Sequence, residues 1–234
     1  NGLIIVLVFV SMLLGMLPIV RYVLLPFEFF TTFIHEGSHA IASLLMGESV
    51  NRIVINPDTS GYMQHTSSGG IFAQGFIGSA GYVGAALFGG GLIVVSAYKK
   101  LSKILLFSLG IIFLLAIVLY VRDVFSLGVC GLLAASLLLI AVKGSPYMNF
   151  FALNFLAVQC ALNSFGDVMT LIKISLGAPK SAYSLGHSDA DAVAQAFLLP
   201  PIFWSFLWML ISGLIIYYSM KRSARIRGSN PNEG

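Results

Sequence analysis

The chain has 234 residues, of which 58% are hydrophobic and only 9% charged, and its mean hydropathy is +0.93. Soluble domains carry roughly 25% charged residues, so this composition predicts a multi-pass integral membrane protein. The formal net charge of +4 comes from a few scattered Lys and Arg, which favours contact with lipid headgroups and argues against nucleic-acid binding. Both cysteines, Cys130 and Cys160, lie in apolar segments, so we expect neither a disulfide framework nor a cysteine metal cluster.

Seven segments approach the length of about 20 apolar residues that crosses the hydrocarbon core of a bilayer. The first segment lacks the basic region and the cleavage site of a signal peptide, so we interpret it as a retained span. Pro18 and Pro26 mark the junction that follows it, and Pro146 stands where a helix tolerates proline, at its start. The predicted fold is all-α and polytopic, with about seven transmembrane helices at 2–20, 26–46, 71–98, 102–120, 124–142, 147–174 and 198–220.

Seven crossings would place alternate loops on opposite sides of the membrane, so the basic residues can be counted separately for each side. One side collects nine of the 13 Lys and Arg and the other collects four. The side with nine includes the C-terminal tail. By the positive-inside rule the C-terminus is predicted to be cytoplasmic and the N-terminus to lie outside.

Two stretches between the spans are polar. In 47–69, the alternating run Val50–Ile55 and the turn residues Asn56–Gly61 predict a small β-hairpin at the membrane surface. In 175–196, a long polar loop with His187 is a candidate lid. We expect one transmembrane domain over 1–225 and a disordered cytoplasmic tail over 226–234.

Glycines recur along the third span, from Gly75 to Gly84 at every third residue and again at 89–91. Rows of small residues let a second helix approach closely. Tight helix packing is the interpretation we favour, and a special backbone role beside a functional site is the alternative.

The second span contains His35-Glu36-Gly37-Ser38-His39, an HExxH sequence surrounded by apolar residues. Two imidazoles four residues apart share one face of a helix and can bind one cation, while Glu36 projects beside them and can activate a metal-bound water. Ionisable groups inside a span are costly unless they have a function. The motif therefore predicts a Zn²⁺ site within the bilayer, with His35 and His39 as ligands and Glu36 as general base.

A catalytic zinc takes three protein ligands and keeps one open position. Asp167 is the preferred third ligand, because Gln159, Asn163 and Asp167 form a polar stripe on an otherwise apolar helix; an Asp hydrogen-bonded to neighbouring helices or water is the alternative. Asp189 is the less favoured ligand, since Asp189 and Asp191 would also suit the cap of the last helix. The turn of the hairpin accounts for Asn56-Pro57-Asp58, so this segment does not need a metal-binding role.

These motifs resemble the site-2 protease family of intramembrane zinc metallopeptidases, specifically its compact branch of bacterial, plant and fungal members. The resemblance rests on the HExxH helix, the hairpin with Pro57 and Gly61, Ala80-Gly81-Tyr82-Val83-Gly84, and the later pieces Asn163–Asp167 and Ser188-Asp189-Ala190. It covers most of residues 26–192. One departure is that the aspartate of better-known members lies in an LDG or NPDG motif, whereas the sixth span has Phe165-Gly166-Asp167-Val168.

The resemblance implies a zinc bound by two histidines and one aspartate, and cleavage of peptide bonds in membrane-spanning substrates. Carried over to this chain, the ligands are His35, His39 and Asp167, and the base is Glu36. The hairpin could hold an unwound substrate by strand addition. The expected partners are a membrane-protein or transmembrane-peptide substrate, the lipid bilayer and a possible regulatory membrane protein.

Two considerations oppose this prediction. With a span that begins at residue 26, His35 is about 14 Å deep and Asp167 about 30 Å deep from the same side, so the two residues would not meet. A non-proteolytic metal-binding membrane scaffold or an ion transporter is the alternative function, because acids and histidines within a membrane also mark ion pathways. The intact Glu36 favours hydrolysis, since a structural zinc site needs no free base.

Overall fold

A computed structural model describes residues 2–15, 18–66, 69–178 and 188–229, without the side chains of 12–21. The described elements are eight α-helices, one 3-10 turn and two strands. In chain order they are α1 (Gly2–Gly15), α2 (Pro18–Leu45), β1 (Ser49–Ile55), β2 (Gly61–Thr66), α3 (Ile71–Val95), the 3-10 turn (Lys99–Leu101), α4 (Ser102–Tyr120), α5 (Val124–Lys143), α6 (Pro146–Ser175), α7 (Asp189–Phe197) and α8 (Pro201–Ser229). The expected all-α fold with one small hairpin is confirmed.

Five of the described helices are long and apolar enough to cross a membrane: α3, α4 with its preceding turn, α5, α6 and α8. Helix α1 is apolar but short, and α2 carries the charged residues of the motif. The chain is therefore an integral membrane protein, and the predicted number of seven spans is approximate.

Helix α2 is longer than the sequence predicts, because it begins at Pro18 and continues through Pro26. Proline inside a membrane helix is tolerated where neighbouring groups satisfy the backbone carbonyl that it leaves unpaired. His35 thus lies 17 residues into α2, or about 26 Å, and Asp167 lies 21 residues into α6, or about 32 Å. The expected difference in depth was wrong, and Thr31 on α2 accepts a hydrogen bond from Asn163 on α6 at 3.0 Å.

The glycines of α3 are the contact surface of the helix bundle. A Cβ atom added to any of six of them would lie at most about 3.1 Å from an atom of another element. Gly75 and Gly78 face α7, Gly81 and Gly84 face α2, Gly89 faces α6 and Gly90 faces α8. Tight packing, as expected, explains most of this row, since real side chains at these positions would separate the helices.

The hairpin is an antiparallel pair with Val54 opposite Tyr62, Ile55 opposite Gly61, and an irregularity between Val50 and Arg52. The outer edge of β1 is covered by the α4–α5 junction, because Ile53 forms a bridge with Val121 and the Ser126 hydroxyl contacts the backbone of Ile55. The outer edge of β2 therefore remains as the second edge of this small sheet.

The turn of the hairpin has the structure that its residues predict. Asn56 and Ser60 hydrogen-bond to each other through backbone and side chains, and Asp58 accepts from the backbone N–H and the hydroxyl of Ser60. Thr32 of α2 donates to the carbonyl of Thr59 at 2.6 Å. The turn is thus anchored to the helix that carries the HExxH motif.

The polar loop expected over 175–196 contains a helix, α7, which Leu198 ends in the left-handed conformation at φ 58°. Residues 179–187, including His187, lie outside the described residues, so the candidate lid stays a prediction. Helix α8 continues to Ser229, into the stretch predicted to be a tail. The domain boundary also stays a prediction.

Candidate metal centre

The two histidines of the motif lie on the face of α2 that packs against α3. Their Nε2 atoms are 3.1 Å apart, and the two rings meet edge to face with centroids 4.8 Å apart. His39 is buried and His35 is partly buried. This arrangement follows from the helical repeat, because residues four apart lie one turn above each other.

Asp189, the first residue of α7, completes a group of three with the histidines. Its Oδ2 atom lies 3.2 Å from Nε2 of His35 and 3.4 Å from Nε2 of His39, although Asp189 is 154 residues from His35 in sequence. For a tetrahedral zinc with bonds of about 2.0–2.1 Å, the ligand atoms are expected about 3.3–3.4 Å apart. The donor set and its spacing therefore fit a zinc ion.

The surroundings of the three groups prepare them to bind a cation. Nδ1 of His39 lies 2.6 Å from the carbonyl oxygen of Ile77 and donates to it, which leaves Nε2 with its lone pair for a metal. Partial burial alone would raise the pKa of Asp189, but before a metal binds, protonated His39 and His35 hold that pKa well below its usual range. Asp189 is thus a carboxylate, the form that ligates metals.

Gly81 of α3 lies directly against the two imidazoles. A Cβ atom at this position would be 2.3 Å from Nε2 of both His35 and His39. That space is needed by the ligand atoms and by any ion between them, so a side chain here is incompatible with the site. The backbone role beside the site, which was the less favoured interpretation of the glycine row, applies at this position.

Glu36 lies between the histidines and the hairpin. It is only 6% exposed, and its Cγ would be 3.0 Å from a Cβ added to Gly61 at the start of β2. The backbone of Met63 in β2 is near its carboxylate. The predicted general base is therefore beside both the metal ligands and the outer edge of a strand.

Asp167, the preferred third ligand of the sequence analysis, is not among the residues whose ligand atoms converge. It is within electrostatic reach of His35 and Glu28. The stripe to which it belongs serves helix packing, since Gln159 donates to Ser11 at 3.0 Å and Asn163 donates to Thr31. The geometry favours Asp189 as the ligand, which reverses the expected order.

Of the two residues expected to cap the last helix, Asp191 helps to cap the preceding helix α7, and Asp189 takes no part in that cap. Ser188 is the N-cap of α7: its hydroxyl accepts from the backbone N–H of Asp191, and the Asp191 carboxylate accepts from the backbone N–H of Ser188, which completes a capping box. Because Asp191 caps the helix, the carboxylate of Asp189 is available to the histidines. The capping-box pattern Ser188-x-x-Asp191 was present in the sequence. Its recognition would have assigned the cap to Asp191 and left Asp189 as a candidate metal ligand.

His65 lies in β2 and pairs through Nδ1 with the buried carboxylate of Glu48. Glu48 also accepts from the backbone N–H of Gly69 at 2.9 Å. This pair fixes the open end of the hairpin to the C-terminal end of α2, so His65 has a structural partner away from the three ligands.

A model of the Peptidase M50B-like family matches residues 3–219, which is most of the chain. Comparisons with curated proteins and with solved structures gave no match. The chain belongs to the Peptidase M50B-like family, a site-2 protease family of membrane-embedded metallopeptidases. The resemblance inferred from the motifs is thereby confirmed.

Proposed function

We propose that the protein is an intramembrane zinc metalloprotease that hydrolyses peptide bonds of membrane-spanning substrates. The observation that carries the proposal is the convergence of Asp189 with His35 and His39, three ligand atoms within 4.8 Å of one another beside a buried glutamate. Membership of a peptidase family makes hydrolysis the expected use of such a site.

The three residues His35, His39 and Asp189 would hold the zinc, two through Nε2 and one through a carboxylate oxygen. A zinc ion at this position would supply Lewis-acid activation of both water and the scissile carbonyl. Three protein ligands leave one position open, which is the pattern of catalytic rather than structural zinc sites.

Glu36 is the proposed general base. Its carboxylate is adjacent to the ligand set but outside it, so it can accept the proton of the attacking water and then deliver that proton to the leaving amine nitrogen. Burial of Glu36 keeps bulk water from competing for this proton. Gly61 makes room for the side chain, because a Cβ at that position would crowd Cγ of Glu36.

The outer edge of β2 is the proposed docking site for the substrate backbone. A transmembrane helix hides its carbonyls in hydrogen bonds, so a substrate must unwind locally before attack. Strand addition supplies main-chain partners for the unwound segment. The nearness of Met63 and Gly61 to Glu36 supports this edge, since a segment paired there would lie beside the base.

The test is cleavage of co-expressed single-span membrane proteins that carry a different tag at each end. Wild type is compared with Glu36→Gln, and zinc is measured in both proteins after purification in detergent. We expect about one zinc per chain in both, and fragments cut within or next to the span in wild type only. Glu36→Gln keeps the size of the side chain and removes its basicity, so it isolates proton transfer.

Equal cleavage by the two proteins would contradict the role of Glu36, and absence of zinc from wild type under metal-replete conditions would contradict the metal site. If zinc is bound but no tagged substrate is cleaved, the scaffold or transporter alternative is favoured. Zinc-dependent ion flux in vesicles that contain the protein would then support a transporter.

A further inference from the structure

Tyr82 is a large polar side chain held rigidly at the metal centre. Its ring meets the imidazole of His35 edge to face, with centroids 4.7 Å apart and an angle of 85° between the planes. On its other side the ring stacks on Trp208 of α8, at 5.0 Å and 14°. Tyr82 is 9% exposed and Trp208 is 1% exposed, so the tyrosine ring has little freedom to move.

The backbone of Tyr82 is also fixed relative to the ligands. It follows Gly81, whose close approach to both Nε2 atoms sets the distance between α3 and the histidines. A group that acts on a transition state must be held within a fraction of an ångström of its working position. Tyr82 is the residue of α3 that combines such a position with a hydrogen-bond donor.

The Tyr82 hydroxyl is near the acidic groups of the site. It is within electrostatic reach of the carboxylates of Asp189, Asp167 and Glu36. In the described part of the chain this hydroxyl donates to no protein acceptor. The Tyr82 oxygen is not among the buried polar atoms that lack a partner, so it reaches accessible space. A phenol in a largely buried position generally pairs with a hydrogen-bond partner, and an acceptor that arrives with the substrate can pair with this one.

Three other neutral side chains around the site are engaged with the protein itself. The Ser38 hydroxyl donates to the carbonyl of Ile34 at 2.7 Å, and the Thr32 hydroxyl contacts the carbonyls of Glu28 and Thr59. Asn163 donates to Thr31. These groups hold helices and the hairpin together, whereas the Tyr82 hydroxyl is not used in this way.

Peptide hydrolysis creates negative charge on the oxygen of the scissile carbonyl. A fixed donor aimed at that oxygen stabilises the transition state more than the ground state, and removal of one such donor costs on the order of 10²–10³ in rate. We propose that the Tyr82 hydroxyl donates a hydrogen bond to this oxygen as the charge develops, and that it retains its proton throughout. This role rests on the proposed function.

The test compares Tyr82→Phe with wild type, because this change deletes the hydroxyl and keeps the ring that packs on His35 and Trp208. We expect about one zinc per chain in both proteins and a fall in kcat of about 10²-fold, with KM changed less than about threefold. A readout independent of turnover is thermal stabilisation by a phosphinic peptide, a tetrahedral mimic of the transition state. Its affinity for Tyr82→Phe should fall at least about tenfold.

Tyr98→Phe is the matched control, since it deletes a hydroxyl beyond the end of α3 and should leave all three measurements unchanged. Unchanged kcat and phosphinic-peptide affinity in Tyr82→Phe would overturn the proposal and leave the protease function intact. Loss of zinc from Tyr82→Phe would also overturn it, because the hydroxyl would then support the ligands. Failure of the protease function itself would show in wild type, as cleavage that Glu36→Gln does not reduce.

Discussion

At the level of single residues, two aspartates compete for the third ligand position. Asp189 lies within 3.4 Å of both Nε2 atoms, whereas Asp167 interacts with His35 only at longer range. We expect Asp189→Asn to lose most of its zinc and Asp167→Asn to keep about one zinc per chain, because a lost ligand weakens binding far more than a lost neighbouring charge. Elemental analysis of the purified proteins measures this difference.

Both substitutions keep the shape of the side chain, so each serves as the control for the other. Zinc lost from Asp167→Asn and retained in Asp189→Asn would restore the order that the sequence suggested and would require α7 to move.

Gly81 is the second residue on which the site depends. The methyl group in Gly81→Ala would occupy the space 2.3 Å from both Nε2 atoms, so either the histidines turn away or α3 moves out. We expect zinc affinity to fall more than tenfold and cleavage to be lost. Competition with a fluorescent zinc chelator gives the affinity.

Gly91 lies in the same helix and has no atom within 4 Å of its added Cβ. Gly91→Ala is therefore the control, and it should bind zinc like wild type. If both alanine variants bind zinc equally well, the close approach of α3 is not a requirement of the site.

The residues of the site were predictable to different degrees. The HExxH spacing locates His35, Glu36 and His39 because one helix supplies all three, and a helix has a known repeat. Asp189 comes from another helix after a long interval of sequence, so its position depends on packing that no local pattern encodes. Polar spacing in α6 pointed to Asp167, but that spacing reflects the bonds of Gln159 and Asn163 to α1 and α2.

At the level of elements, α7 owes its position to the glycine face of α3. A Cβ added to Gly78 would lie 2.5 Å from Cγ2 of the buried Val193, so Gly78→Ala should push α7 away and withdraw Asp189 from the histidines. We expect reduced zinc affinity and a lower melting temperature. Chelator competition and thermal unfolding of the detergent-solubilised protein measure the two effects.

Val193→Ala offers a sharp control for this prediction, because it removes the methyl group that Gly78→Ala would strike. Val193→Ala alone leaves a small cavity and should be destabilising by about 1–3 kcal/mol. The double variant should regain zinc affinity relative to Gly78→Ala, which is a non-additive result expected only of residues in contact. Additive effects would show that Gly78 does not position α7.

Long apolar helices were the elements that the sequence predicted well, since length and hydropathy suffice to recognise them. Boundaries within α2 were harder, because Pro26 suggested a break and the helix continues through it. Helix α7 was expected to be loop, because its polar composition resembles one. Its stability comes from the Ser188–Asp191 cap and from packing against α3.

At the level of the whole molecule, helix ends that are predicted to lie on the same side of the membrane contact one another. Arg227 at the end of α8 donates to Asn154 of α6 at 2.9 Å and contacts Ser96 at the end of α3. At the opposite end, Ile53 of the hairpin bridges to Val121 between α4 and α5. The two groups agree with the alternation of loops on which the count of basic residues depends.

The sidedness of the chain can be tested without deciding whether α1 and α2 cross. Between the hairpin and the C-terminal end of α8 are the five helices that are long and apolar enough to span a membrane. Five is an odd number, so if all five helices cross, the hairpin and the end of α8 lie on opposite sides. The positive-inside rule then predicts the hairpin outside and the end of α8 in the cytoplasm.

Single cysteines at Asn51 and Arg222, both exposed, report these two sides in intact cells, in a background where the buried native Cys130 and Cys160 are changed to alanine. We expect a membrane-impermeant maleimide to label Asn51→Cys at once and Arg222→Cys only after the membrane is permeabilised. The reverse pattern would mean that the protein has the opposite orientation in the membrane, and it would still agree with five crossings. Labelling of both cysteines in intact cells would mean that one of the five helices does not cross the membrane.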